Sequence, residues 1–465
     1  MAKVYDMTKG SIIKNLVLVA LPVLLTSISQ MAYNLTDMFW IGRVDAIGLN
    51  ESDAISGIGT ASYLTWFAFG VMLIAKIGTS VKVSHAVGSQ EHHRINHYAS
   101  NGMTIALVLG LVYAFSMFMF KEPLISIFNI PKASVIEFAI DYLSIVGSFI
   151  FIQFIISGFS SINEGLGKTS INFSILVVGL IMNMILDPLF ILTLRWGVQG
   201  AAIATVLSQL LTLIIFFLYY LINRKTSWQF QFKLLALKPM KEIFNIGIFS
   251  ALQSMFFTTI SIVIARMIFV YGEQVMAAQR IGSQVEQLTW MIAGGFQTAL
   301  TVFVGQNFGA KAPDRIKKGT LLLSQLLISY ALVITALLFF FSESLMKLFV
   351  DDVRTVAYGK QYLRIISMAQ LFMMLEGIGT GLFNGLGKSI VPSITGIVGN
   401  TLRLPGAIWL SSAWGYQGIW WMLNFSDIIK GLTMALASIL MLTQLDSFIQ
   451  SRKIKLFRLP SNRIQ

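Results

Sequence analysis

The chain carries two copies of one pattern, and this repeat constrains its fold more than any other feature. The string GLGK at residues 165–168 returns at 385–388, and the turn WG-x-QG at 196–200 returns at 414–418. Both strings stand between long apolar runs. A membrane protein that is built from two tandem halves is typical of transporters.

The composition places the chain in a membrane. Hydrophobic residues make up 55% of its 465 residues and charged residues only 12%, whereas soluble domains carry about 25% charged residues. Apolar runs of about 20 residues can cross a bilayer. Twelve such runs are present, at residues 15–41, 55–84, 98–120, 135–160, 169–194, 199–222, 242–271, 277–306, 317–341, 356–383, 389–411 and 416–443. We therefore predict an all-α polytopic membrane protein with twelve transmembrane helices in two six-helix bundles.

The polar segments set the domain boundaries and the orientation. We predict an N-terminal bundle at residues 1–222, a cytoplasmic linker at 223–240, a C-terminal bundle at 241–443 and a basic cytoplasmic tail at 444–465. Alternate loops carry 20 Lys and Arg residues on one side and eight on the other, and the basic side faces the cytoplasm. We expect a multi-pass protein of the cell (inner) membrane with both termini in the cytoplasm. Six helices per half imply a pseudo-two-fold axis along the membrane normal.

Several function classes are excluded by what the sequence lacks. There is no cysteine, which excludes disulfides and thiolate chemistry. The strings GKT and GKS resemble the end of a phosphate-binding loop, but Ile162 and Leu382 stand where that loop needs glycine, so we expect no ATP site. The basic residues lie in loops between apolar runs, which points to the lipid bilayer and not to nucleic acid. We expect a transporter without a cofactor, and not an enzyme.

Four polar residues at membrane depth are the candidates for binding a coupling ion. Asp37 lies in span 1, Asn183 and Asp187 lie in span 5, and Thr205 lies in span 6. Asn183 and Asp187 are four residues apart and share one helix face. Asp187 and Thr205 are equally far from the turn that joins their spans, so they lie at matched depth. Two carboxyl groups, an amide and a hydroxyl suit a proton or Na⁺.

A purely structural role for these acids is the alternative. Asp37 could cap the outer end of span 1, and Asp187 could be a satisfied acid beside Pro188, which frees a carbonyl one turn earlier. The repeat favours function, because the counterpart of Asp187 beside Pro405 is Leu404. A requirement of the fold would recur in both halves.

The motifs resemble one known family over the whole chain. The first span, with LP at 21–22 and NLTDMFWIGR at 34–43, resembles the first helix of the MATE (multidrug and toxic compound extrusion) family, and the repeated GLGK and WG-x-QG strings match it too. The first-helix Asp resembles the DinF-like branch. That branch has a cation site in its N-terminal lobe, and its residues correspond to Asp37, Asn183, Asp187 and Thr205.

The resemblance implies a function. It implies a secondary active multidrug efflux transporter that exchanges H⁺ or Na⁺ for amphipathic, often cationic organic compounds by alternating access. We expect such a protein to be a monomer. Residues that we expect to line its substrate cavity are polar, aromatic or Met side chains, together with two acids that could instead be paired internally: Asn34, Phe39, Trp40, Met255, Phe256, Phe257, Glu286, Met291 and Glu376. The alternative function is a lipid-linked saccharide flippase of the same superfamily, which typically has extra spans and a basic cavity.

Overall fold

The computed structural model describes residues 5–223 and 228–450, and every regular element in these ranges is helical. The first half contains α1 (Ile12–Ile41), α2 (Glu51–Gly88), α3 (His92–Ser126), α4 (Ala133–Phe149), α5 (Phe151–Gly165), α6 (Thr169–Pro188) and α7 (Gly197–Ile222). The second half contains α8 (Leu237–Phe269), α9 (Glu273–Gly309), α10 (Pro313–Phe340), α11 (Ser342–Lys347), α12 (Val353–Ser367), α13 (Gln370–Gly385), α14 (Ile390–Trp414) and α15 (Tyr416–Thr443). The predicted all-α fold class is confirmed. Residues 224–227 of the predicted linker and 451–465 of the predicted tail lie outside the described ranges.

Each of the twelve predicted spans has a helical counterpart in the described part of the chain. Nine spans rest on one helix that is long and apolar enough to cross a membrane: α1, α2, α3, α6, α7, α8, α9, α10 and α15. The span predicted at 389–411 corresponds to α14, a helix of 25 residues whose middle carries the polar Asn400 and Arg403. The remaining two spans are helix pairs, α4 with α5 and α12 with α13, bent by 46° and 49°.

The two bends correct the prediction of single helices at 135–160 and 356–383. No proline stands at either break, so neither is a proline kink. At the second break, side chains of neighbouring helices donate hydrogen bonds to two carbonyls of the broken helix. Asn424 Nδ2 donates to the Ile365 carbonyl, and Thr335 Oγ1 donates to the Ser367 carbonyl at 3.1 Å. Such tertiary capture makes a sharp bend tolerable inside a membrane.

The repeated GLGK strings form the same turn in both halves. Gly167 has φ +73° and Gly387 has φ +71°, a left-handed conformation that only glycine adopts without strain. The Gly167 N–H donates to the Glu164 carbonyl at 2.8 Å, and the Gly387 N–H donates to the Asn384 carbonyl at 2.8 Å. The sequence repeat is therefore also a repeat of backbone conformation.

The chain folds into two compact units whose segments alternate along the sequence. Val19–Val83 and His92–Ala251 belong to the first unit, whereas Asp6–Leu18, Ser84–Glu91 and the residues from Leu252 onward belong to the second. Each unit has a buried apolar core, which in the first includes Ala139, Leu143 and Ile191 and in the second Ile268, Leu363 and Trp420.

Candidate cation-binding site

Three helices of the first unit carry the four predicted cation-coupling residues: α1 carries Asp37, α6 carries Asn183 and Asp187, and α7 carries Thr205. Asn183, Asp187 and Thr205 are buried. Asp37 is partly exposed, but its Oδ1 atom is buried. The spacing of four residues has the expected effect on α6, because Asn183 Nδ2 donates to Asp187 Oδ1 at 3.0 Å.

The carboxyl groups of Asp37 and Asp187 lie close enough to interact directly with each other. Ionised carboxylates are acceptors only, so two of them can share such a contact only with a proton or another cation between them. Among the described residues, no Lys, Arg or His side chain acts on either acid. The described part of the chain therefore supplies no positive charge to this pair.

Two tyrosines that the sequence reasoning did not identify complete the surroundings of Thr205. Tyr33 OH lies 3.5 Å from Thr205 Oγ1, and Tyr142 is close enough to Thr205 to interact with it. Both tyrosines are close enough to Asp37 and Asp187 to interact with their charges. Thr205 thus lies beside the acid pair in a shell of hydroxyl groups.

Three oxygen atoms of this cluster have no hydrogen-bond donor in the described structure: Asp37 Oδ1, Asn183 Oδ1 and Asp187 Oδ2. Buried acceptors are almost always paired with a donor, so three unpaired acceptors in one place are unusual. Oxygen ligands without a resident cation fit a proton or a hard monovalent ion. The described residues contain no group of three or more Asp, Glu, His or Cys residues that could hold a metal ion, so the oxygens of Asn183 and of the hydroxyl groups would have to complete any Na⁺ shell.

Near the end of α6 one backbone carbonyl lacks a helical donor. Pro188 ends this helix, and the residues that follow it form a π-turn, Leu189–Thr193, in which the Leu194 N–H donates to the Leu189 carbonyl at 2.8 Å. Because Pro188 has no N–H, it gives the Met184 carbonyl no helical donor. This carbonyl is on the same helix as Asn183 and Asp187, as the sequence predicted.

Three of the predicted cavity residues lie on α1 in the first unit. Asn34 is exposed, and its Oδ1 accepts from Gln30 Nε2 at 3.4 Å. Phe39 is exposed and lies 3.9 Å below the guanidinium of Arg43. Trp40 packs against the apolar core of the first unit and touches Phe39 edge to face. Phe39 is therefore accessible, whereas Trp40 is largely a packing residue.

Four further predicted cavity residues are apolar and lie in the second unit. Phe256 and Phe257 on α8 are exposed, with 46% and 40% of their surface accessible. Met255 on α8 and Met291 on α9 are partly buried. The Phe257 ring lies 5.9 Å from the guanidinium of Arg403, which connects this aromatic group to a set of buried charges.

The two predicted acids of the second unit have different partners. Glu286 on α9 accepts from the neutral donors Tyr362 OH and Gln370 Nε2, both at 3.4 Å. Glu376 on α13 instead forms an ion pair with Lys430 at 3.1 Å. The alternative that the sequence left open, an internally paired charge, therefore describes Glu376, while Glu286 has no ion pair in the described structure.

Comparison with known proteins identifies the family. The MatE family model matches residues 22–189 and again 249–409, once in each half. The chain belongs to the MatE family. The probable multidrug resistance protein NorM of Thermotoga maritima is 27% identical over 407 residues, which is 85% of this chain and 84% of that protein.

Solved structures agree with the fold of this MatE chain. An outward-facing multidrug resistance MATE family transporter of the MOP superfamily has a TM-score of 0.86 at 20% identity, covering 97% of this chain and 99% of that one. A MOP superfamily transporter from Pyrococcus furiosus Vc1, whose binding pocket of reverse polarity suggests a different function, has a TM-score of 0.87 at 20% identity, covering 96% and 99%. The protein therefore has the twelve-helix, two-bundle fold of multi-pass membrane transporters.

Proposed function

We propose that this MatE transporter is a secondary active multidrug exporter, and that H⁺ or Na⁺ bound at the Asp37–Asp187 pair drives export by alternating access. The substrates would be amphipathic, often cationic organic compounds. The relative from Thermotoga maritima carries a multidrug resistance name, which supports this substrate class. The proposal also assigns the chain to the DinF-like branch, on the first-helix acid.

One observation carries the assignment of the coupling site. The cluster formed by Asp37, Asn183 and Asp187 presents three buried oxygens without donors, and no described basic side chain acts on its acids. A site of this kind binds a cation that comes from solution, because leaving two carboxyl groups buried and unpaired costs several kcal/mol. An exchangeable cation is what a gradient-driven transporter requires.

A proton and Na⁺ would use different parts of the cluster. A proton needs only the contact between the two carboxyl groups, which it converts into a hydrogen bond. Na⁺ needs several oxygens, which Asn183, Thr205 and the Met184 carbonyl would supply in addition to the acids. Thr205→Val removes one of these oxygens at nearly constant shape and should therefore weaken Na⁺ coupling more than H⁺ coupling.

The first helix is the element that ion binding would act on. α1 runs unbroken through Pro22, where it lacks one backbone hydrogen bond because proline has no N–H. Asp37 lies four turns beyond this weak point, on the same helix. We propose that neutralising Asp37 bends α1 at Pro22 or changes its packing, which alters access to bound substrate.

Efflux from proteoliposomes tests the coupling. The purified protein is reconstituted with a fluorescent organic cation inside, and a proton gradient and a Na⁺ gradient are imposed separately. We expect one of the gradients to drive efflux, and Asp37→Asn or Asp187→Asn to abolish it. Asp45→Asn is the matched control, because Asp45 is an exposed acid in the short 3-10 helix, Val44–Ile47, that follows α1. Undiminished efflux by either site variant would exclude an essential coupling role for that residue.

The same vesicles separate the alternative function. A lipid-linked saccharide flippase would move a fluorescent lipid-linked saccharide between leaflets. It would not export a soluble organic cation in response to an ion gradient. The Pyrococcus furiosus transporter has this fold, and the reverse polarity of its binding pocket suggests a different function for it. Gradient-driven efflux of the soluble cation supports the exporter, while saccharide flipping without such efflux supports the alternative.

The cell membrane, the cytoplasmic position of both termini and the monomeric state belong to the same proposal. Cysteines introduced at Thr8 and Asp446 would test the first two, because the natural chain has none. A membrane-impermeant maleimide should label neither position in intact cells and both in inverted vesicles.

A further inference from the structure

Two acids of the second unit, one buried and one partly buried, are bound to basic side chains of the protein itself. Asp427 Oδ1 lies 2.5 Å from Arg403 Nη2 and 2.9 Å from Lys430 Nζ. The same Lys430 Nζ lies 3.1 Å from Glu376 Oε2. Lys430 therefore bridges two carboxylates, one on α15 and one on α13, with its own ammonium group.

The geometry of the bridge is fixed by its surroundings. The Lys430 side chain is only 3% exposed and that of Arg403 only 7%. The stem of Lys430 passes directly over Gly399 of α14, where any side chain would collide with it. Ser426 holds Arg403 in place, since its Oγ accepts from Arg403 Nε at 3.0 Å and donates to the Gly399 carbonyl at 2.9 Å.

The charges of this group cancel. Arg403 and Lys430 carry two positive charges, and Asp427 and Glu376 carry two negative charges. The acid pair of the first unit, Asp37 and Asp187, has no such partners among the described residues. The acids of the Lys430 group therefore need no cation from solution, whereas the Asp37–Asp187 pair does.

We propose that Lys430 is a tethered cation, which takes in the second unit the place that an exchangeable ion takes in the first. The coupling ion is then bound at the Asp37–Asp187 pair and not at the group of Arg403, Lys430, Asp427 and Glu376, whose charge stays constant through the transport cycle. This inference rests on the proposed function, because it assumes that the Asp37–Asp187 pair binds the coupling ion.

The consequence is that removing the Lys430 ammonium should create an ion site. Glu376 would lose the one basic partner that it has among the described residues, while Asp427 would keep Arg403. A buried carboxylate without a partner recruits a proton or a cation from solution. Methionine is the suitable replacement, because it has a similar length and fits over Gly399 without a charge.

Ion binding to the purified full-length protein tests this without a transport assay. The probes are Na⁺, counted as bound ²²Na⁺ per protein, and protons, counted by potentiometric titration of the same sample. The starting protein is the Asp37→Asn, Asp187→Asn double variant, which should bind no coupling ion. Adding Lys430→Met should restore one bound ion, and adding Glu376→Gln to that protein should remove it again.

Each outcome decides a different claim. The double variant could still bind an ion, and adding Glu376→Gln could abolish that binding. This result would overturn the tethered-cation proposal but would not contradict the proposed site in the first unit. A folded Lys430→Met protein that recruits neither ion would overturn it as well. Should Lys430→Met fail to fold, Glu376→Gln alone decides: unchanged ion stoichiometry supports the proposal and a lost ion contradicts it. Wild-type ion binding that survives both aspartate changes and Glu376→Gln would instead reject the proposed function.

Discussion

Asp187→Asn should stabilise the protein while it abolishes export. Asp187 is completely buried, and only one of its carboxyl oxygens receives a hydrogen bond, from Asn183 at 3.0 Å. The asparagine keeps that acceptor and replaces the unpaired Oδ2 by an amide group that can donate to Asp37. Removing an unsatisfied buried polar atom stabilises by about 1–3 kcal/mol. For a cooperative unit of about 200 residues, this corresponds to about 2–4 °C per kcal/mol in Tm.

The effect is measured on purified protein in detergent by thermal melting followed by tryptophan fluorescence. Choline replaces Na⁺ in the buffer, because an ion that binds only the folded wild type would raise its Tm and reduce the difference. Asp45→Asn serves as control and should change the stability by less than about 0.5 kcal/mol, as an exposed substitution does. A lower Tm of Asp187→Asn in the choline buffer would refute the reasoning. It would show that the wild-type structure stabilises the Asp187 carboxyl group and does not leave its Oδ2 unpaired.

Three further predictions concern contacts described above. Tyr33→Phe removes the hydroxyl that lies 3.5 Å from Thr205. We expect gradient-driven efflux to fall about fivefold, which corresponds to the loss of about 1 kcal/mol. Efflux equal to that of the wild type would show that this hydroxyl is dispensable. Lys76→Met leaves the buried Glu164, 3.4 Å away, without its cation; because Lys76 is partly exposed, the free energy of unfolding should fall by only about 1–2 kcal/mol. Glu164→Gln in the same chain should restore most of this loss, and strictly additive effects would show that the pair does not interact. Gly387→Ala places a side chain on a backbone with φ +71° and should lower the stability by about 1–2 kcal/mol, with an unchanged Tm counting against a strained turn.

The sequence was sufficient for the features that depend on local pattern. Long apolar runs predicted the helices, because only helices satisfy the backbone inside lipid without outside partners. The spacing of Asn183 and Asp187 predicted their common face, and the structure places a hydrogen bond there. The GLGK repeat likewise marked two turns whose glycines have nearly the same φ.

The features that were missed depend on the rotation and packing of helices. Tyr33 stands four residues before Asp37 on α1, so a search of the same helix face would have found it. Tyr142 offered no such signal, because it reaches Thr205 from α4. The ion pair of Asp427 with Lys430 follows from their spacing of three residues, but the second partner of Lys430 is Glu376 on α13, which only the tertiary structure brings near. The bend near Ser367 was missed for the same reason, since donors from other helices accompany that break.

The alternation of segments between the two units also bears on how the protein is made. Asp6–Leu18 is synthesised long before the main segment of its unit, which begins at Leu252. At about 5–20 residues per second, roughly 10–50 s of synthesis separate the two. The first unit likewise lacks a piece until Ala251 has been made, since it includes the start of α8. Neither half of the gene product can therefore complete its fold alone, and the membrane insertion machinery has to keep an unfinished first half intact until the second arrives.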